Sequence, residues 1–468
     1  MKNDLLAGMR EGKKLSVAEQ IALVMRLSIP AILAQISTII MEYIDAAMVG
    51  SLGASASAAI GIVSTTTWLI GGLCGAVGTG FTVSVAHKIG AGEEALARRF
   101  VRMGLLTVIG FATIFMLLAI AIHRELPVWM GGEESVLENA SAYFLVYAIS
   151  LPIMQFVHAG SGMLECSGNM KVPSVLNVAM CFLDVVFNAF FIYPTRTVGL
   201  FEKWEIRVPG AGMGVLGAAI GTLCAELCGA LGIFLAIFVF SDKLHYRRGE
   251  KGRLSFEQWF SACKISIPVM ISSLIMGSAY VLSTRIVSPL GNVAITANSF
   301  AITAESLCYM PGYGIAHAAT TLTGQAKGAG RKFLTRRLSF LCIGIGVAVM
   351  TGAAVLLYLF APLMIGMMSP DVSVRELGTR ILRIEAFAEP MFGASIVAEG
   401  VFRGLGKTGI PGILNLLSMW CVRLPLSAFL AGQFGLVGVW YVMCGELIFR
   451  GIIFLGALIR EFWKKQEQ

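Results

Sequence analysis

Apolar runs long enough to cross hydrocarbon recur along this chain, each closed by a short charged or Gly/Pro-containing segment. In lipid, a run of roughly 20 to 25 such residues can satisfy its own backbone hydrogen bonds only as a helix. Twelve are legible, at about residues 20–48, 56–86, 101–123, 139–162, 173–193, 212–240, 258–287, 294–323, 337–365, 380–402, 411–431 and 436–460. The pattern predicts an all-α membrane protein of twelve transmembrane helices, with almost no chain left for a separate soluble domain.

The pattern repeats. Leu27–Gly53 returns as Ile265–Gly291, with Pro30 against Pro268, Leu52 against Leu290 and Gly53 against Gly291, all at an offset of 238. At the same offset Gly90 and Gly92 meet Gly328 and Gly330, Arg98 and Arg99 meet Arg336 and Arg337, and Pro152 meets Pro390. Gly168 meets Gly406, Pro173 meets Pro411 and Asn177 meets Asn415. The offset then falls to 221 (Gly214 with Gly435, Gly217 with Gly438), because the outer loop around Arg196–Pro209 is longer in the first copy. Six helices per copy return the chain to the side it entered. The copies are therefore expected to be parallel six-helix bundles, related by a pseudo-two-fold axis along the membrane normal. The expected division is a lead-in at 1–19, an N-lobe at 20–240, a linker at 241–257 and a C-lobe at 258–468. The lead-in reads as a short amphipathic anchor on the inner surface, and the basic linker as a tether between moving bundles.

Composition agrees: 56% of the 468 residues are hydrophobic and 14% charged, too apolar for a soluble chain of this size. A net charge of +8 would suggest nucleic acid in a soluble protein, but its distribution gives another reason. With the N-terminus placed inside, 26 Lys and Arg fall on the inner side and 7 on the outer (Arg124, Arg196, Lys203, Arg207, Arg375, Arg380, Arg383). That asymmetry is the positive-inside rule; it places both termini in the cytoplasm and leaves no need for nucleic acid. The first 20 residues lack the apolar core of a secretory signal. The ten cysteines show no CxxC pair and the five histidines no metal spacing. No GxxxxGK[ST] loop, HExxH or GxSxG motif is present, so neither an ATPase nor an intramembrane hydrolase is indicated, and no cofactor.

Ionisable side chains inside the spans are then the candidate chemistry, because each is costly in hydrocarbon without a partner or a cavity. Glu42 and Asp45 lie three apart on helix 1, Asp184 and Asn188 four apart on helix 5, and Thr222 on helix 6. The counterparts in the second copy are Tyr280, Ser283, Val422, Leu426 and Met443, with no carboxylate among them. Such a set can hold a proton on a carboxyl or coordinate sodium through Asp45, Asp184, Asn188 and Thr222; a satisfied polar contact between helices is the plainer alternative. Glu305 on helix 8, ahead of Pro311, serves either substrate or a helix kink. Glu165, Glu399 and Arg403 read as gate or fold contacts near the inner ends of helices 4 and 10. Glu385, Glu389, Arg383, Glu226 and Glu446 are left between function and structural pairing. The glycines of helix 2 (Gly71, Gly72, Gly75, Gly78, Gly80) read as close packing before hinge.

These residues resemble the multidrug and toxic compound extrusion (MATE) transporters, prokaryotic branch, from about Ile21 to Phe462. The resemblance rests on the Asp-bearing first helix followed by MVGSLGASASAA, the GAG after helix 2, MPGYGIAHAATTLTGQAKGAG after helix 8, and FRGLGKTGIPGILN between helices 10 and 11. It implies a monomeric, multi-pass protein of the bacterial inner membrane, bounded by lipid. The implied activity is export of amphipathic, often cationic, small molecules in exchange for protons or sodium, by alternating access of two lobes. Asp45 matches the family's first-helix aspartate and Thr222 its sixth-helix threonine. Helix 5 departs: the branch has Asn and then Asp four residues later, whereas here Asp184 comes first and Asn188 second. The helix-7 glutamate of some sodium-driven members falls near Met276, which with Tyr280 and Glu305 is a candidate for substrate contact. The competing reading is a flippase for lipid-linked precursors from the same wider superfamily, for which Arg285, Arg423 and Arg450 would have to bind pyrophosphate.

Overall fold

The computed structural model describes residues 5–10, 15–200, 204–245 and 255–464. It is an all-α membrane protein. Among the described residues, nine helical stretches are long and apolar enough to cross a bilayer. The first half runs through α1 (Leu5–Arg10), α2 (Val17–Gly50), α3 (Ala54–Gly90), α4 (Glu94–Ile122), the short α5 (Glu125–Trp129), α6 (Glu134–Cys166), α7 (Lys171–Ile192) and α8 (Gly214–Leu235). The second half has α9 (Phe256–Val287), α10 (Asn292–Gly328), α11 (Lys332–Met368), α12 (Val372–Glu385), α13 (Glu389–Gly404), α14 (Gly409–Leu416) and α15 (Leu424–Lys464).

Helix limits carry the sequence repeat into geometry. The starts of α10, α11, α12 and α14 lie 238 residues after those of α3, α4, α6 and α7. Ser16 caps α2 through a reciprocal box with Glu19, and Ser255 caps α9 in the same way with Gln258; each box satisfies two otherwise orphaned amides. The paired turn glycines take positive φ in both copies: Gly53 (113°) with Gly291 (93°), and Gly168 (98°) with Gly406 (67°). Gly214 (58°) and Gly435 (60°) do so at the shorter offset. Gly435 interrupts the helical run 409–463 and divides it where two separate spans, 411–431 and 436–460, were expected.

Three departures have local causes. The tenth span, expected at 380–402, begins at Val372 and breaks between Glu385 and Glu389. Pro390, second residue of α13, has no N–H to offer and would clash with the carbonyl four residues back. Its first-half counterpart, Pro152, sits inside an unbroken α6. The long outer loop, for which no strands were expected, forms a two-stranded antiparallel hairpin, β1 (Pro194–Leu200) with β2 (Trp204–Ala211). Its β-branched and aromatic residues suit an extended pairing. Finally, α1 does not lie free on the surface: Met9 is fully buried and Leu6 nearly so. Their side chains find an apolar cluster beneath the bundle, where burial is more favourable than an interfacial position. Most of the predicted linker falls outside the described residues.

Exposed apolar side chains mark the lipid face. Leu106, Ile114, Leu117 and Leu118 on α4 and Leu356, Leu359, Leu363 and Met367 on the equivalent α11 are all exposed. The halves meet through α2, α3, α9 and α10. At the end where the basic segments gather they touch backbone to backbone. A Cβ on Gly80 would stand 1.9 Å from the Ala262 carbonyl, one on Gly90 2.1 Å from that of Gln325, and one on Gly328 2.0 Å from that of His87. Toward the opposite end the beginnings of α3 and α10 are largely exposed, whereas Ala304–Ala326 is almost wholly buried. The shape is a wedge closed at its basic end.

Gly80→Ala should therefore lower the thermal midpoint in detergent, since overpacking of this kind costs about 1–3 kcal/mol. Gly72→Ala, with nothing within 4 Å of the added carbon, should hold or slightly raise the midpoint, since alanine is the better residue inside a helix.

Candidate functional site

Helix α7 turns one polar stripe toward α2. Asn177, Cys181, Asp184 and Asn188 follow at spacings of four, three and four, which keeps them on a single face. At the basic end of the stripe, the Asn177 side-chain amide donates to the Ala34 carbonyl (3.1 Å) and to Thr38 Oγ1 (3.0 Å). At the other end, Asn188 Nδ2 donates to Asp45 Oδ1 and to Asp184 Oδ2, each at 2.9 Å. One amide thus joins two carboxyls on different helices. Asp184 and Asn188 are both 1% exposed, while Asp45 is half-buried and gives the pair its access.

The third wall is α8. A Cβ on Gly221 would sit 2.1 Å from Asn188 Oδ1, so glycine is what lets the asparagine reach in. The next residue, Thr222, lies beside Asp184. Tyr143 on α6 is within electrostatic reach of both carboxyls, and Glu226 stands one turn beyond Thr222, also within reach of Asp184. Asp184 Oδ1, Asn188 Oδ1 and Glu226 Oε2 are buried and find no protein donor. Buried acceptors left unsatisfied are uncommon and costly. A small cation or a proton shared among these oxygens would satisfy them. Among the described residues, no group of three or more His, Cys, Asp or Glu side chains is set to hold a metal ion.

The other sequence candidates separate. Glu42 is exposed, off the Asp45–Asn188–Asp184 contact, and comes within electrostatic reach of Tyr309 in the second half. Between Glu42 and Asp45, Tyr43 donates its hydroxyl to the Thr303 carbonyl of α10 at 2.6 Å. Tyr280 is exposed and packs edge-to-face on Trp68 of α3, centroids 6.5 Å apart. Met276 instead packs with Ala279, Met419 and Leu424 inside the second half.

Glu305 is buried, not presented to the wedge. It belongs to an acidic cluster with Glu385 and Glu389, both 0% exposed; among the described residues no donor reaches the Glu385 carboxyl, and the Cys308 thiol lies beside that of Glu389. Single residues announced this cluster only weakly, because its members come from α10, α12 and α13 and converge only on folding. Close by, Glu446 accepts from Arg450 Nε (2.8 Å) and from the Ser418 hydroxyl, with Arg423 Nη1 3.8 Å away. Arg423 and Arg450 are thus engaged inside the second half, not turned to a lipid pyrophosphate. Arg383 stacks over Tyr358 at 5.1 Å and donates to its carbonyl, making no pair with Glu385 or Glu389.

The gate candidates divide in the same way. Glu165 Oε2 meets His317 Nδ1 at 2.8 Å across the halves. Beside it, Thr321 Oγ1 donates to the Glu165 carbonyl and Gln325 Nε2 to the Cys166 carbonyl. Glu399 and Arg403 pair within α13 (3.1 Å).

The family model described as MatE matches this chain twice, over residues 30–190 and 268–429. The chain belongs to the MATE family. The two matches begin 238 residues apart, the offset that pairs Pro30 with Pro268. The MATE chain is 24% identical over 450 residues to a probable multidrug resistance protein NorM of Thermotoga maritima, covering 94% of this chain and 92% of that one. A protein of the same description from Xanthomonas axonopodis is 25% identical over 405 residues, covering 86% and 85%. Among solved structures, a MATE in complex with MaL6 superposes with a TM-score of 0.89 at 20% identity over the whole of both chains. An outward-facing multidrug resistance MATE transporter gives 0.88 at 20%, covering 96% and 97%. A MOP superfamily transporter from Pyrococcus furiosus gives 0.87 at 19%, covering 99% and 98%. This MATE chain is a multi-pass membrane transporter.

Replacing Arg450 by Leu should lower stability sharply, because removing one partner of a buried ion pair costs about 3–5 kcal/mol. Thermal unfolding in detergent reads this, and the Glu446→Gln, Arg450→Leu double variant should recover part of the loss.

Proposed function

We propose that this protein is a secondary antiporter exporting amphipathic, often cationic, organic compounds across the bacterial inner membrane in exchange for protons or sodium ions. The lobes are residues 20–240 and 258–468, with both termini in the cytoplasm, and they open alternately to the two sides. The relatives named as multidrug resistance proteins support export. The single observation that carries the coupling is the Asn188 amide held between Asp45 and Asp184 beside unsatisfied oxygen acceptors.

A cation seated on Asp45 and Asp184 offsets their charge and lets α2 and α7 pack together. Without it, two adjacent carboxylates repel in a poorly screened site, and α2 is pushed from α7. The same helix carries Tyr43, whose bond to Thr303 crosses to the other half, so a shift at Asp45 is felt two residues away at the lobe interface. With the exchanged order on α7, Asp45 meets both the Asp184 carboxyl and the Asn188 amide, so the amide braces a pair of carboxyls. The compound's contacts are assigned to the exposed Glu42 carboxylate and to the exposed Trp68–Tyr280 pair, groups of the kind that hold flat cations. With the positive side inward, the wedge opens to the outside, as release requires.

In proteoliposomes, ethidium exchange by Asp45→Asn should fall by about tenfold or more, under whichever imposed gradient, proton or sodium, drives the parent. Equal exchange by the variant would remove this site from the mechanism.

A further inference from the structure

Helix α1 is too short to be stable alone, yet it buries Leu6 and Met9 at the basic end. Leu6 reaches the first half: its Cδ1 lies 2.8 Å from where a Cβ on Gly168 would stand, and Gln325 Nε2 of α10 is 3.5 Å from that same point. Met9 reaches the second half, where its carbonyl accepts from Arg331 Nη1 at 2.8 Å. Both side chains join one apolar cluster containing Met170 from the first half and Leu322, Ala326, Leu405 and Phe462 from the second. The helix is attached to both sides of the seam.

Immediately above it run the polar contacts that close the halves, Gln325 to the Cys166 carbonyl and His317 to Glu165. Opening the basic end draws Gly168 and Met170 away from Gln325 and Arg331. A six-residue helix cannot span that separation and keep Leu6 and Met9 buried. We propose that α1 is a strap across the lobe seam that holds the basic end shut, and that its release is a step of the switch between outward- and inward-open states. This rests on the rocking-lobe reading above.

Cys166 supplies a native reporter, since its carbonyl is bonded across the seam and its residue is 2% exposed. The protein to use is full-length with Cys166 as its sole cysteine, in detergent and in proteoliposomes, labelled by a membrane-impermeant maleimide. In the parent, labelling should be slow at rest and speed up under an imposed ion gradient. With Leu6→Ser and Met9→Ser, resting labelling should rise by about fivefold or more, the population shift given by losing roughly a kcal/mol of closed-state contact. Deletion of residues 1–14 should do the same, and it decides the matter if the double variant does not elute as a folded monodisperse species. Unchanged resting rates in the folded variants would overturn the strap. A parent whose labelling ignores the gradient would overturn rocking lobes instead, while a faster variant would still show that α1 holds the seam.

Discussion

Two carboxyls and too few donors to satisfy them, buried in a hydrocarbon-spanning bundle, set the terms for the rest of this structure. Ionised side chains in that environment are tolerated only beside a partner or an aqueous path. Asp184 shares with Asp45 the two hydrogens of one asparagine and has the Thr222 hydroxyl beside it. To bring that asparagine in, α8 must present glycine at 221, α7 must keep its polar stripe in phase, and α2 must place Asp45 near its non-basic end. On the proposed reading, a cation at this site offsets the carboxyl charge and its loss leaves that charge uncompensated. That difference is what can drive a conformational change.

The two halves solve the burial of acids differently. In the first, carboxyls meet an amide, a hydroxyl and partial access. In the second, Glu446 is neutralised by Arg450 and supported by Ser418, while among the described residues Glu385 sits without a donor and Glu389 has only the Cys308 thiol beside it. The duplicated backbone, down to matching capping boxes and positive-φ glycines, therefore carries unlike chemistry. The asymmetry also reaches the helices: the Pro152 position stays helical, and the Pro390 position breaks the chain between Glu385 and Glu389.

Much of this was legible beforehand because it depends on local pattern. Apolar run length gives helices, Pro and Gly spacing gives the repeat, and the position of Gly435 gives a break. The residues of the Asp45–Asp184–Asn188–Thr222 set were also readable, because an acid inside an apolar run stands out. What composition could not reveal is who meets whom. That Asn188 bridges, that Gly221 makes room and that Glu305 turns inward to Glu385 and Glu389 all depend on tertiary approach between distant segments. The hairpin was missed for a different reason: fifteen outer residues lack the length to register against apolar spans. The burial of α1 was missed because six residues carry no periodicity that separates a membrane surface from a protein seam.

The central claim is that Asp45 and Asp184 share one exchangeable cation whose presence is linked to the export cycle. The most direct test adds ethidium to detergent-purified protein and follows released protons with an indicator dye and released sodium with a radiotracer. The account predicts release of one of these ions on binding, lost in Asp184→Asn while the fold is retained. Equal release from Asp184→Asn and the parent would contradict it.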